Sequence, residues 1–318
     1  MATSPRIVVS TITQRVLSPK PSKNFLSVRR ALSPKTPPKS GSRCFLSIDT
    51  PNRVKIVEDG PPKVVEDSII GCGSFGMVYR ASYKGSEVAA KIVKRRGNSD
   101  EMIRAERNAA SLAHSNIIRI FGVEEGQICS LVTMELCGTS LQDKLDEMEL
   151  DRIERINTWL AISCALDFCH SSGIVHADVK PKNVLIAADG QLKLADFGNS
   201  VLIEEKCSRE KLRGTPGYVA PEVIKGSSPS PTSDIYSLGI LAWQLLSREF
   251  PFSNYHPHTI LYLTGKGVRP TDEGLVDECR GSYKSLYRES WSQSPEYRPA
   301  LGATIDRLNG ILNTSKIM

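Results

Sequence analysis

His176-Ala177-Asp178-Val179-Lys180-Pro181-Lys182-Asn183 is followed, thirteen positions on, by Asp196-Phe197-Gly198. Asp178 and Lys180 put a proton-accepting carboxylate beside a cation. That pairing can take a proton from a hydroxyl while charge on a phosphoryl group is neutralised. Asn183 and Asp196 offer hard oxygen atoms, which suit Mg²⁺ when water and phosphate complete its shell. A polar turn and an Asp-Phe-Gly turn could each be structural, but their order and spacing, with the motifs upstream, favour a shared site. His176 reads as packing beneath the loop rather than as a reacting group.

Upstream, Gly71-Cys72-Gly73-Ser74-Phe75-Gly76-Met77-Val78 is a glycine-rich turn whose backbone N–H groups can approach β and γ phosphates without a Cβ in the way. Such a turn can also be a plain hairpin or part of a dinucleotide site. A dinucleotide site would lead into a helix, whereas Met77 to Tyr83 alternates like a strand. Lys84-Gly85-Ser86 then reads as a hairpin and Glu87 to Val93 as the returning strand. Within it, Val88-Ala89-Ala90-Lys91 carries a lysine suited to α and β phosphates. Lys91 lies fifteen residues after Gly76 and fifteen before Glu106. Glu106 shares an apolar helix face with Ile103 and Ala110, with Asn98 and Glu101 at capping-box spacing. A glutamate on such a face needs a cation, so Lys91 is read as its partner rather than as a solvated edge residue.

Downstream, Gly214-Thr215-Pro216-Gly217-Tyr218-Val219-Ala220-Pro221-Glu222 supplies a hydroxyl, Thr215, able to bridge Asp178 and Lys180. Glu222 and Arg298 are expected to form a buried ion pair. Asp234 is expected to N-cap an apolar helix over 233–247 and to hold the catalytic-loop backbone. Strands are expected at Ile117–Val123 and Ile128–Met134. Helices are expected over 151–171, with Ile153, Ile156, Leu160 and Cys164 on one stripe, and from about Pro299 to Asn313.

Residues 1 to about 60 hold eleven Lys/Arg and three Asp/Glu, a balance of +8, so with a chain total of +6 the remainder is near −2. The Ser-Pro pairs at Ser4, Ser18 and Ser33 and the proline-broken pattern predict a disordered basic arm. A transit peptide is the rival, since the first 48 residues lack acid, but the prolines would interrupt its helix. Cys44 to Ile48 is more apolar and could dock on the folded part. The basic excess has no aromatic or helical framework, which argues against nucleic-acid binding. No run reaches the roughly 18 apolar residues of a membrane span, and residues 1–10 lack a signal-peptide core. The eight cysteines show no metal or Cys-x-x-Cys spacing and read as reduced, mostly buried thiols of a cytosolic or nuclear protein, with a cytoplasmic location expected.

Over roughly residues 64–314 these motifs together resemble the protein kinases. The resemblance implies a two-lobed α+β fold: a small, mostly antiparallel β lobe with one main helix (64–134) and a larger helical lobe (138–314). It implies ATP as donor, Mg²⁺ on Asn183 and Asp196, and Met134 behind the adenine, with Glu135 to Cys137 offering backbone hydrogen bonds. Lys180 after the base and Gly-Thr-x-x-Tyr before Ala-Pro-Glu resemble serine/threonine rather than tyrosine kinases. Val78-Tyr79-Arg80-Ala81-Ser82-Tyr83, Ala105-Glu106-Arg107-Asn108, Asp234-Ile235-Tyr236-Ser237 and Val268-Arg269-Pro270 are similar to the Mos serine/threonine kinases. Members of that group act upstream of a MAP kinase kinase in meiotic maturation of oocytes. Raf-like and mixed-lineage kinases of the same tier are the alternatives, and a pseudokinase scaffold is the non-enzyme alternative. Glu204 to Arg213 is charged and unlike the Mos pattern. Ala177 stands where most kinases have arginine, so phosphate on the 199–219 loop would lack its usual receiver.

Overall fold

The computed structural model describes residues 62–73, 76–95, 99–205 and 212–315, together with the backbone of Ile7–Val8 and Ser47–Ile48. Ser74, Phe75, Asn98, Cys44, Cys207 and Ser208, and nearly all of the basic arm, lie outside them. Strands β1 (Ile7–Val8) and β2 (Ser47–Ile48) pair antiparallel. The chain divides into two compact units, Met1–Arg95 with Glu124–Thr133, and Arg96–Val123 with Met134–Met318. The segment Ser99–Val123 therefore groups with the larger unit.

In the first unit β3 (Lys63–Gly73), β4 (Gly76–Tyr83) and β5 (Ser86–Lys94) form an antiparallel meander. These belong to a five-stranded sheet of order β3-β4-β5-β7-β6, in which β6 is Ile120–Glu125 and β7 is Cys129–Glu135. Lys84 and Gly85 have φ of 52° and 80° between the paired Tyr83 and Ser86. Two successive positive φ angles make the tight turn that matches strand twist. Strand alternation puts Tyr79, Ala81, Val88 and Ala90 on the core face with Leu131. The opposite face carries the cross-strand pairs Val78–Lys91 and Arg80–Ala89.

In the second unit α1 spans Ser99–Ala109, ending one residue short of Ala110, and buries Ile103 and Glu106. The strand expected from Ile117 begins at Ile120; Ile117 instead makes a single parallel bridge to Leu194. Helix α2 (Leu141–Glu147) and helix α3 (Arg152–Ser171) each begin with a capping box, Ser140/Asp143 and Asp151/Glu154. The stripe expected on α3 is displaced. Ile153 is 40% exposed and Leu160 and Cys164 are half-buried, whereas Ile156, Trp159, Ser163 and Leu166 are fully buried. A serine on that face is tolerated because its hydroxyl donates to the Trp159 carbonyl at 2.8 Å.

Strands β8 (Ile174–Val175), β9 (Val184–Ile186), β10 (Leu192–Leu194) and β11 (Val201–Leu202) pair as β8–β11 and β9–β10. Helices α4 (Pro221–Ile224), α5 (Pro231–Ser247), α6 (Pro257–Gly265), α7 (Ser282–Ser290) and α8 (Leu301–Ser315) complete the unit. Its core is aromatic: Trp159 meets Tyr283 edge-on at 5.0 Å, and Tyr287 meets Trp291 at 4.9 Å. The N-cap expected at Asp234 is Ser230, with Pro231 in the first turn. Among the described residues, no helix is long and apolar enough to cross a membrane. All six described cysteines are free; Cys129 and Cys169 are buried, Cys137, Cys164 and Cys279 intermediate and Cys72 exposed, so burial is less general than expected.

Candidate active site

Asp234 is fully buried and holds the catalytic loop by its backbone. Its carboxylate accepts the N–H groups of His176 at 2.8 Å and Ala177 at 2.9 Å, and His170 Nε2–H at 2.9 Å. The backbone-holding role expected of Asp234 is therefore present although the capping role is not. His176, also buried, donates from Nε2 to the Ala195 carbonyl at 3.0 Å and accepts the Asp178 N–H at Nδ1, 3.3 Å away. It stacks edge-on against Phe197 at 4.8 Å. These contacts join the His176 loop to the Asp196 turn, the structural part expected of it.

Asp178 is buried beneath four donors. Lys180 Nζ reaches Oδ2 at 2.7 Å, Asn183 Nδ2 at 3.1 Å and Asn199 Nδ2 at 3.3 Å. The Thr215 hydroxyl donates to Oδ1 at 2.7 Å and accepts from Lys180 Nζ at 2.6 Å. Asp178, Lys180 and Thr215 thus close a triangle of short, charge-assisted contacts. Gly214 makes the turn that presents Thr215. Its φ is +100°, and a Cβ there would lie 2.8 Å from the Ala177 carbonyl oxygen. Ala177 and Asp196 both have φ of 63°, the left-handed region that non-glycine residues seldom occupy and that clusters at functional sites.

Asn183 also donates to the Asp178 carbonyl at 2.9 Å. With Nδ2 engaged twice, Oδ1 is the side-chain atom left as a metal ligand. An amide oxygen and the Asp196 carboxylate are the kind of sparse, hard donor set that suits Mg²⁺ held mainly by phosphate and water. Among the described residues no group of three or more His, Cys, Asp or Glu could hold a metal alone. By their donor chemistry, Asn183 and Asp196 fit an ion whose other ligands are phosphate and water.

In the same unit Glu106 is buried on α1, which packs on the turn 197–199: a Cβ on Gly198 would lie 3.6 Å from Met102 Cε and 3.8 Å from Glu106 Oε1. Met134 is buried. The Glu135 N–H is engaged by the Arg119 carbonyl at 2.9 Å, and burial beside Glu135 raises the Cys137 thiol to about 11. Arg298 donates to Glu222 at 2.6 and 2.8 Å in a two-pronged pair, as expected.

The first unit presents the remaining expected residues. Lys91 and Ala89, on β5, are buried on the sheet face that also carries Val78 of β4. Met77 packs with Ile92 against the Tyr79–Ala90 core, so its side chain is on the other face. Gly71 is half-buried and Cys72 exposed, while Gly73 pairs with Gly76. A Cβ at Gly76 would lie 2.2 Å from the Ile92 carbonyl oxygen, so no larger residue fits.

The sequence did not single out Asn199, Arg213 or His170. Asn199 follows Asp-Phe-Gly directly, but nothing in its neighbours marks it as a donor to Asp178.

The family model described as protein kinase domain matches residues 64–304. The chain belongs to the protein kinase family. It is 34% identical over 252 residues to serine/threonine-protein kinase mos of Patiria pectinifera, covering 74% of this chain and 71% of that one. It is 30% identical to mitogen-activated protein kinase kinase kinase 12 of Rattus norvegicus, covering 73% of this chain but 26% of that one. With dual specificity protein kinase shkD of Dictyostelium discoideum the identity is 28%, over 82% of this chain and 37% of that one. The kinase is thus a serine/threonine protein kinase, similar to Mos and to kinases of the MAP kinase kinase kinase tier, using ATP on protein substrates.

Proposed function

We propose that this kinase is a Mos-like enzyme that phosphorylates a MAP kinase kinase in the cytoplasm of germ cells and so drives meiotic maturation. The observation that carries the catalytic reading is the triangle of Asp178, Lys180 and Thr215. Each oxygen of a carboxylate offers about two lone-pair sites. Oδ2 receives three donors and Oδ1 one, so the remaining capacity of Oδ1 is the natural receiver of a substrate hydroxyl proton. Lys180, fixed between Asp178 and Thr215, holds positive charge where a transferring phosphoryl group develops negative charge. Mg²⁺, when bound at Asn183 and Asp196, would neutralise phosphate charge and fix phosphate orientation. Lys91 would orient the α and β phosphates under the turn Gly71–Val78, with Ala89 toward the adenine. The base would bond the Glu135 carbonyl and the Cys137 backbone. The domain would span 64–314, with the arm 1–60 outside the catalytic machinery.

The likeness to Mos over 74% of the chain supports the substrate tier. The test is phosphorylation of a purified MAP kinase kinase set against a generic basic protein. Preference for the former by at least about tenfold in kcat/KM, some 1.4 kcal/mol of transition-state binding, is expected. Equal use of both would remove the tier assignment while leaving the kinase.

Ala177 offers a loop phosphate no cation, so the enzyme should be active as synthesised and controlled by its abundance. Ser200 is buried, which disfavours it as a phosphate acceptor. Activity of bacterially made protein should survive phosphatase treatment and the changes Ser200→Ala and Ser208→Ala. Thr215→Ala should lower kcat about tenfold, through loss of its contacts to Asp178 and Lys180. A phosphatase-sensitive enzyme restored by Ser208→Glu would overturn this reading.

A further inference from the structure

Arg213 lies on the activation segment, residues 196–222, one residue after its description resumes at Leu212, and its side chain is 19% exposed. Its guanidinium makes two different contacts. Nη2 reaches Glu101 Oε2 on α1 at 3.0 Å, and Nη1 donates to the Asn199 carbonyl at 3.3 Å. The Asn199 side chain in turn donates to Asp178 Oδ2 at 3.3 Å. A second ion pair, Arg104 to Glu205 at 3.2 Å, joins the same helix to the other side of this segment.

We infer that Arg213 is a positioning residue for phosphoryl transfer: it latches the activation segment to α1 through Glu101 and fixes, through Asn199, a donor on the Asp178 carboxylate. The inference rests on the reading of Asp178 as the proton acceptor. An ion pair whose acid is 46% exposed adds little to stability, so stability alone would not account for a role here. The second contact gives it one. The Asn199 carbonyl belongs to the residue that touches Asp178, and the turn 197–199 is the surface on which α1 packs beside Glu106. Helix, turn and base are thus tied by one planar fork, a geometry that lysine's single ammonium cannot reproduce. The latch also sits on the segment that a phosphate would order in kinases with arginine before the base. Here the cation is carried by the segment at Arg213 and the anion by α1 at Glu101.

The test uses the full-length chain and compares Arg213→Gln, Asn199→Ala, the double variant and Glu101→Gln. Initial rates give kcat and KM for ATP, and circular dichroism gives the thermal midpoint. Arg213→Gln and Asn199→Ala should each lower kcat about three- to tenfold, as for loss of one contact to a charged group, with KM for ATP within about twofold. Because both act through one contact on Asp178, the double variant should be no worse than the poorer single variant, the non-additivity of coupled residues. Glu101→Gln, at a half-exposed site that tolerates change, should lower kcat about two- to fivefold by removing one arm of the latch. Arg213→Gln or Glu101→Gln with unchanged kcat, or a fully additive double variant, would overturn the latch. Asp178→Asn separates the two failures. If it retains turnover, the reading of the base is wrong; if it is inactive while Arg213→Gln is normal, only the latch is.

Discussion

Asp178→Asn should lower turnover by about two to four orders of magnitude, the contribution of a positioned general base, while leaving the folded state close to its normal stability. The side chain keeps its shape. An amide oxygen directed at Lys180, Asn183 and Asn199 can still accept from them, and the Thr215 hydroxyl can rotate to accept from the new NH₂ group. What is lost is the negative charge and the ability to take a proton. Asp196→Asn should be comparably inactive by a different route, since it weakens an oxygen ligand without touching the triangle around Asp178. Transfer of radiolabelled phosphate at saturating ATP and Mg²⁺, with thermal melts of each variant, checks both. Turnover within tenfold of normal for Asp178→Asn would remove the assigned base and, with it, the enzyme reading of the triangle.

The triangle was legible because the chemistry demands certain residue types at fixed short spacings. Asp178, Lys180 and Asn183 lie on one turn of chain, and Thr215 stands in a motif with its own glycines. The β4–β5 hairpin was legible for a similar reason: Lys84-Gly85 is a turn that only positive φ angles can make. Contacts set by tertiary packing were not legible. Arg213 and Glu101 are 112 residues apart, and each by itself reads as a solvated charge. Asp234 was half-read, because Ser230-Pro231 offers an equally good helix start and an acid in the first turn does not say which backbone it will meet. On α3 the expected and observed stripes share Ile156 and then diverge. Ser163 hid the true core face, because a hydroxyl bonded to its own helix can be buried among apolar side chains.

Glu222→Ala should destabilise the second unit by about 3 kcal/mol, the low end of the cost of removing one partner from a buried ion pair. The Arg298 guanidinium is 0% exposed and Glu222 18%, so the charge left behind has no route to water while the deleted one was partly wet. Arg298 would keep acceptors in the Thr232 carbonyl at 2.8 Å and the Ser292 carbonyl at 3.0 Å, which bonds its hydrogens but does not neutralise it. A second guanidinium aggravates the loss. Arg269 and Arg298 lie 5.0 and 5.2 Å from the centre of the Tyr236 ring. Burial holds the Arg269 pKa below its usual value, Arg298 lowers it further and Glu222 opposes both. Removing Glu222 therefore leaves two cations sharing one aromatic ring without their anion. At roughly 2–4 °C per kcal/mol for a unit of this size, the thermal midpoint should fall by about 6–12 °C. Replacing both partners by apolar residues, Glu222→Leu with Arg298→Met, should recover much of that loss, since the unpaired charge and not the missing bond is the main cost. A loss under about 1 kcal/mol for Glu222→Ala in denaturant titration would mean that water reaches Arg298 and that the pair does not anchor α4.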